Sequence, residues 1–328
     1  MRNAMRKIVG MVAMLFVAGG AAAAQGSGDP APGYPSRPVR LIIAFPPGGS
    51  NDIMGRYFAQ YLTERFGTQV VPDNRGGAEG IIAADIVSHA NPDGYTLLLI
   101  SAAHTVIAAS RSKLPYDPIE SFAYVGKLGY GPSVLSVHPG VKVNTAKELL
   151  AYGRANPGKL TLTSSGGFAY FAAELFNQMS GMKMLVVVYK GGFPALVDVM
   201  GGQAQVNLGS LIQTLPHMGS GRVRPLATSG SKRAEGAPDL PTIAESGVPG
   251  YEANNFWMVM APAKTPPGII RKLSEEMTRY LNLPETKKRF TAEGVELDIL
   301  TPAELRKQIP VEIAKWKKVA KAANIQSQ

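Results

Sequence analysis

The 328-residue chain contains no cysteine. That excludes disulfides and a lipid-modified cysteine behind an export signal, so the core alone must hold the fold. Histidine is scarce: His89, His104, His138 and His217 are far apart, with no pair four residues apart to start a metal site. Catalytic signatures are missing too. There is no G-x-S-x-G elbow, no H-E-x-x-H and no thiol nucleophile. No G-x-x-x-x-G-K-[ST] follows the first strand-like run, and no G-x-G-x-x-G marks the turns, which argues against a nucleotide loop. The expectation is therefore no catalytic residue, no metal and no cofactor.

What is present is ordinary globular composition, 45% apolar and 18% charged, in a chain long enough for two domains. Residues 1–24 stand apart. Arg2, Arg6 and Lys7 precede the apolar run "IVGMVAMLFVA" (8–18), and small residues follow, with Ala22 and Ala24 placed for cleavage before Gln25. This reads as an export signal, too short for the roughly 20-residue span of a bilayer. The periplasm is the compartment expected. Residues 25–38, "QGSGDPAPGYPSRP", form a Gly/Pro/Ser-rich leader. The formal charge of +10 falls to +7 once the three cations of the signal are removed. The dense run "AKWKKVAK" (314–321) reads as a packed helix with Ile313, Trp316 and Ala320 on its buried face. No nucleic-acid partner is expected.

Beyond residue 38 strand and helix patterns alternate. "VRLIIAF", "QVVP" and "YTLLLIS" read as strands, with helices between them. A second alternating block starts near "PSVLSVHP" (132–139), and "FWMVMAPA" (256–263) reads as a returning strand before terminal helices. The order predicts parallel sheet covered by helices, in two α/β lobes with a ligand cleft between them. We place lobe 1 at 39–130 and 257–328, and lobe 2 at 131–256.

Glycine pairs recur at the strand-to-helix turns: "GGS" (48–50), "GGAEG" (76–80), "SSGGF" (164–168) and "KGGFP" (190–194). Strand carboxyl ends form the crevice of open α/β sheets, and helix starts offer unpaired N–H groups and partial positive charge. One pair alone reads as a helix entrance; four together point to a shared anion site. Gly201-Gly202 instead reads as a helix C-cap. Ser50, Ser101, Ser164 and Ser165 are hydroxyl donors for the anion. Asp52 serves either the helix dipole and first-turn cap or the shape of the ligand loop. His104 follows a strand and either reaches the cleft or is satisfied in a loop.

These residues carry a family resemblance over essentially the whole mature chain. "YPSRPVRLIIAFPPGGSND", "NRGGAEG", "NPDGYTLLL", "LPYDPIESFAYVGKL", "YKGGFPALVDVMGGQ" and "LPTIAESGVPGYE", in that order, resemble the tripartite tricarboxylate transporter receptors, or Bug receptors. The resemblance implies a type II periplasmic binding fold that closes on a carboxylate and delivers it to an inner-membrane permease, the receptor itself a monomer. It also implies loops whose amides and bridging waters hold one carboxylate. Carried over, those loops contribute Phe45, Gly48, Gly49, Ser50, Asp52, Ala78, Ser101, His104, Thr163, Ser164, Ser165, Gly166, Phe168, Tyr189 and Gly192.

Two stretches depart from the family pattern. "TSSGGFAYFAAELF" is shorter than usual and lacks the polar residue and histidine normally found there; Val188 stands where the family has proline. With Phe168, Tyr170 and Phe171 in the shortened loop, an aromatic carboxylate becomes the expected ligand, unless these rings simply pack the helix. A receptor for a signalling partner and an exported α/β hydrolase are the competing readings.

Overall fold

The computed structural model describes residues 29–322; the expected signal peptide and the first four leader residues lie outside that range. One sheet of nine strands runs through the molecule. Its elements are β1 (Val39–Ile43), α1 (Ser50–Phe66), β2 (Val70–Asn74), α2 (Ile81–Ser88), β3 (Thr96–Ser101), α3 (Ala103–Ser110) and β4 (Phe122–Val137). The second half has α4 (Ala146–Ala155), β5 (Thr161–Ser164), α5 (Phe168–Ser180), β6 (Leu185–Val188), α6 (Gly192–Met200), β7 (Val206–Ser210), α7 (Leu211–Met218) and β8 (Arg224–Thr228). The chain ends with β9 (Asn254–Pro262), α8 (Pro267–Asn282), α9 (Pro284–Ala292) and α10 (Pro302–Ala322).

The strand order is β2-β1-β3-β9-β4-β7-β5-β6, with β8 also paired to β4. The first three strands are mutually parallel, as the alternating pattern predicts. The returning strand β9 lies antiparallel between β3 and β4, so the sheet is mixed. β4 joins the two lobes. Its first half pairs with β9 in lobe 1, and its second half pairs with β7 and β8 in lobe 2. The return crossing is short. Ala253 N–H bonds Ser229 O in lobe 2, and by Asn254 the chain has joined β9 opposite Pro132.

Period-two alternation sorts β1 and β3 between two cores. Ile42, Leu98 and Ile100 face one, while Leu41, Ile43, Leu97 and Leu99 face the other, where Met54, Phe58 and Leu62 of α1 cover them. The first core continues into lobe 2. Trp316 of α10 is 2% exposed and meets Phe168 and Phe171 of α5 edge-on at 5.4 and 6.3 Å. The C-terminal helix, placed in lobe 1 by the sequence, therefore touches both lobes. Ile313 is buried beside Trp316, as the spacing predicts.

Two helices and half a strand go beyond the sequence pattern, which assigns no element to 102–131. The start of β4 is hidden by Gly126, Gly129 and Gly131, which look like loop punctuation. Gly129 is required because a Cβ would lie 2.9 Å from Glu296 O, and the 295–296 segment bridges Tyr130 there. α7 is masked by Pro216 inside it.

Candidate functional site

Five helices point their N-termini into the space between the lobes. First-turn or capping residues of α1 (Gly49, Ser50), α3 (Ala103), α5 (Phe168, Ala169), α6 (Gly192) and α7 (Ser210, Gln213) line one cavity of about 60 Å³. None of the five starts is capped by its own N-cap side chain. By contrast α4, elsewhere in lobe 2, is capped by its own N-cap: Glu148 N–H donates to Thr145 Oγ1 at 3.1 Å, and Glu148 Oε2 accepts from Asn144 N–H at 2.7 Å. The five starts leave first-turn N–H groups and the positive ends of the dipoles directed at the cavity, although in α3 the Ala103 N–H already has Ser101 Oγ at 3.4 Å. Not one charged side chain is among its lining residues. The positive potential thus comes from backbone and neutral donors, the arrangement that holds an oxyanion without a counter-cation.

The lobe-1 side is built by side chains that fix a strained loop. Phe45 has φ of 85°, unusual for a residue with a Cβ. Asn51 Nδ2 donates to Ala44 O at 2.8 Å and Asn74 Nδ2 to Phe45 O at 3.1 Å, holding the backbone on both sides of the strain. Asp52 Oδ2 accepts from Gly48 N–H at 3.0 Å, and Arg56 Nε donates to Oδ1 at 2.9 Å. Burial works to raise the Asp52 pKa, but the bonds from Arg56, Gly48 and Asn74 outweigh it and leave the carboxyl below its ordinary range. Asp52 therefore shapes the loop from behind. Trp257 Nε1 donates to Ser50 Oγ at 3.3 Å, so the serine's own proton remains for an acceptor in the cavity.

The lobe-2 side is simpler. Ser164 Oγ accepts from Gly166 N–H at 3.2 Å, and Thr163 Oγ1 donates to Asn207 Oδ1 at 3.0 Å. A further bond comes across the cleft: Glu79 Oε1 of lobe 1 accepts from Gly167 N–H at 3.1 Å. Arg111 Nη2 reaches the other carboxylate oxygen at 3.4 Å.

Three of the four glycine pairs turn out to be where the lobes touch; Gly76 and Gly77 instead pack on Pro46 and Ile82 of their own lobe. A Cβ on Gly48 would lie 3.3 Å from Phe193, and one on Gly191 would lie 3.3 Å from Pro46. A Cβ on Gly167 would come within 2.8 Å of the Ala103 Cβ. Each contact joins one lobe to the other. Within lobe 2, Gly192 clears space for the Gln213 carboxamide, which a Cβ would meet at 2.4 Å.

Of the residues singled out from the sequence, Phe45, Gly49, Ser50, Ser101, Thr163, Ser164, Ser165, Gly166, Phe168 and Gly192 line the cavity together. Gly48 and Asp52 stand behind it. Ala78 and Tyr189 lie farther out, in a wider mouth of about 670 Å³ that shares Phe45, Ser165 and Gly166 with the cavity. His104 is a correction. It is 1% exposed, stacks on Tyr116, and bonds Pro118 O through Nε2 at 2.7 Å, so it faces the lobe interior. Burial pushes its pKa down to about 4, and it stays neutral. The shortened loop supplies fewer rings than expected, because Tyr170 and Phe171 do not line the cavity and Phe171 packs on Trp316.

Asn51, Asn207, Ser210, Gln213 and Asn255 are lining residues that the sequence did not yield. "VNLGSLIQ" carries no glycine pair and reads as plain strand, yet its polar residues stand where a strand end meets a helix start. That position was the available signal. Among the described residues no group of three metal-binding side chains occurs, and no helix is long and apolar enough to cross a membrane.

The family and the fold recur among known proteins. The family model described as "tripartite tricarboxylate transporter family receptor" matches residues 54–325. BugT of Bordetella pertussis is 36% identical over 307 residues, covering 92% of this chain and 93% of that protein. The structure of R. palustris Rpa4515 with adipate superposes with a TM-score of 0.87 at 34% identity, covering 89% of this chain and 99% of that one. MatC from Rhodopseudomonas palustris with bound malate gives 0.81 at 27% identity, covering 87% and 99%.

Proposed function

The chain belongs to the tripartite tricarboxylate transporter receptor family, and on that premise we propose that it is an exported periplasmic receptor that captures a small carboxylate between its lobes and hands it to an inner-membrane permease. The observation that carries this reading is the convergence of five helix starts, none capped by its own N-cap side chain, on a cavity lined by no charged side chain. Such a site matches one carboxylate with many weak donors, which can release it when the lobes open. The solved relatives in complex with adipate and malate support the ligand class. A ring-bearing acid is favoured over a citrate-like polyacid because Phe45 and Phe168 are the rings on the cavity.

A thermal-shift screen of the mature protein against aliphatic and aromatic mono-, di- and tricarboxylates tests the proposal. Ligand at a hundred times its Kd stabilises the fold by about 2.7 kcal/mol, so a true ligand raises the melting temperature by several degrees. A panel in which no carboxylate shifts the melting curve would overturn the reading.

A further inference from the structure

The polar wall formed by "VNLGSLIQ" has a feature that the carboxylate clamp leaves unused. Gln213 and Asn207 are 5% and 2% exposed, and both line the cavity. Gln213 Nε2, Asn207 Nδ2 and Ser210 Oγ are buried and have no partner in the protein. The Thr163 hydroxyl has Asn207 Oδ1 at 3.0 Å and Val206 O at 3.3 Å, and donating to the nearer of them leaves the Asn207 amide nitrogen as the free group. Gly209 stands two residues along the same face of β7, and a Cβ there would meet Asn207 Nδ2 at 2.6 Å. Likewise Gly192 makes room for the Gln213 carboxamide. The local sequence thus spends two glycines on seating two buried amides at one wall of the cavity.

Buried donors without partners destabilise a closed site, and a ligand acceptor that satisfies them restores what is lost. The same groups therefore favour closure only around a ligand that presents oxygen to this wall. Size limits where that oxygen can be. About 60 Å³ of space open to a water-sized sphere holds roughly four or five water-sized groups. A carboxylate takes three of them. Only an atom or two next to the carboxylate remains inside, and anything farther along the ligand lies in the mouth.

We infer that Gln213 and Asn207 form a subsite for a hydrogen-bond-accepting oxygen on the carbon next to the bound carboxylate, making this a receptor for 2-hydroxy or 2-oxo carboxylates in preference to unsubstituted acids. The inference rests on the receptor reading above and deepens it. Gln213 discriminates by contact with the ligand.

Calorimetric titration of the mature protein with matched acids tests it. Three-carbon, six-carbon and phenylacetic backbones are each supplied as plain, 2-hydroxy and 2-oxo acid, with hexanedioate as a separate arm. The wild type is expected to bind an oxygenated member about tenfold tighter than its plain counterpart, the effect of one good hydrogen bond to a buried donor. Gln213→Met, matched in length, should reduce that preference to about threefold or less, with the plain acid binding nearly as before. Gln213→Asn, which withdraws the donor by one methylene, should lose it too and provides the test if the methionine variant does not fold. Equal binding of plain and oxygenated acids by the wild type overturns the inference. So does a preference that survives both substitutions, or one shown for hexanedioate alone, which would place the second acceptor in the mouth. Absence of binding to every acid in the set would instead bring down the receptor reading and this inference with it.

Discussion

The two jaws of the cleft are held in different ways. The lobe-1 jaw, 44–52, is fixed by its own lobe: Asn51, Asn74 and Asp52 bond its backbone, and Trp257 bonds the Ser50 hydroxyl. The lobe-2 jaw, 163–168, has one local side-chain bond to its turn, from Gly166 N–H to Ser164, and takes its second from Glu79 in the opposite lobe. The first jaw is therefore preorganised whether the lobes are apart or together. The second takes one of its bonds across the cleft, so separating the lobes would remove it. In the receptor reading proposed above, the first jaw is the rigid template, and ligand-driven closure acts mainly on the second.

The largest effect should come from the seam. Gly167→Ala places a methyl 2.8 Å from the Ala103 Cβ at a backbone φ of 53°. Overlap strain on the order of 2 kcal/mol in the closed form corresponds to about thirtyfold weaker ligand binding, measured by calorimetry. Gly158→Ala is the control. Its φ is also positive, at 74°, but no atom lies within 4 Å of the added methyl. It should cost about 1 kcal/mol of stability and leave affinity unchanged. Equal affinity losses in both would mean that backbone conformation, not lobe contact, explains the glycines.

Next comes the rigid jaw. Asp52→Ala leaves Gly48 N–H unbound and frees the loop, for an expected loss of about 1–2 kcal/mol in denaturant unfolding and roughly tenfold in affinity. The pH dependence follows from the depressed pKa. The stabilisation is complete above the unfolded-state value, near 3.8, and is lost as pH falls through the lower folded-state value. The wild-type and Asp52→Ala stability curves should thus run parallel from pH 5 to 7 and converge only in stronger acid.

The smallest effect belongs to the cross-lobe bond. Glu79→Gln keeps an acceptor for Gly167 N–H but removes its charge, so affinity should fall only about two- to fivefold, with the melting temperature of the ligand-free protein nearly unchanged. A loss as large as that of Asp52→Ala would erase the distinction between the jaws.

The glycine pairs show how far the sequence could be read. Their recurrence at strand-to-helix turns is legible because "GGS", "SSGG" and "KGG" each follow an apolar run and precede an amphipathic one. What approaches each glycine is not legible, since Phe193, Pro46, Ala103 and Gln213 come from distant elements. His104 failed for a related reason: its position after a strand is visible, but the direction of its ring depends on Tyr116 and Phe122 packing around it. Phe171 is buried by Trp316, more than a hundred residues away. Gln213 escaped notice because a glutamine in the first turn of a short, proline-containing helix has no local signature.

By itself the sequence determined the alternation of strands and helices, the two lobes, the family and the turns that face the cleft. These are set by periodicity, glycine and capping chemistry within a few residues, or by ordered motifs along the whole chain. Only the tertiary structure decided which side chains share the cavity, which glycines touch the opposite lobe, and which buried donors lack a partner. Those properties depend on distances between segments far apart in the chain, and local residue spacing does not encode them.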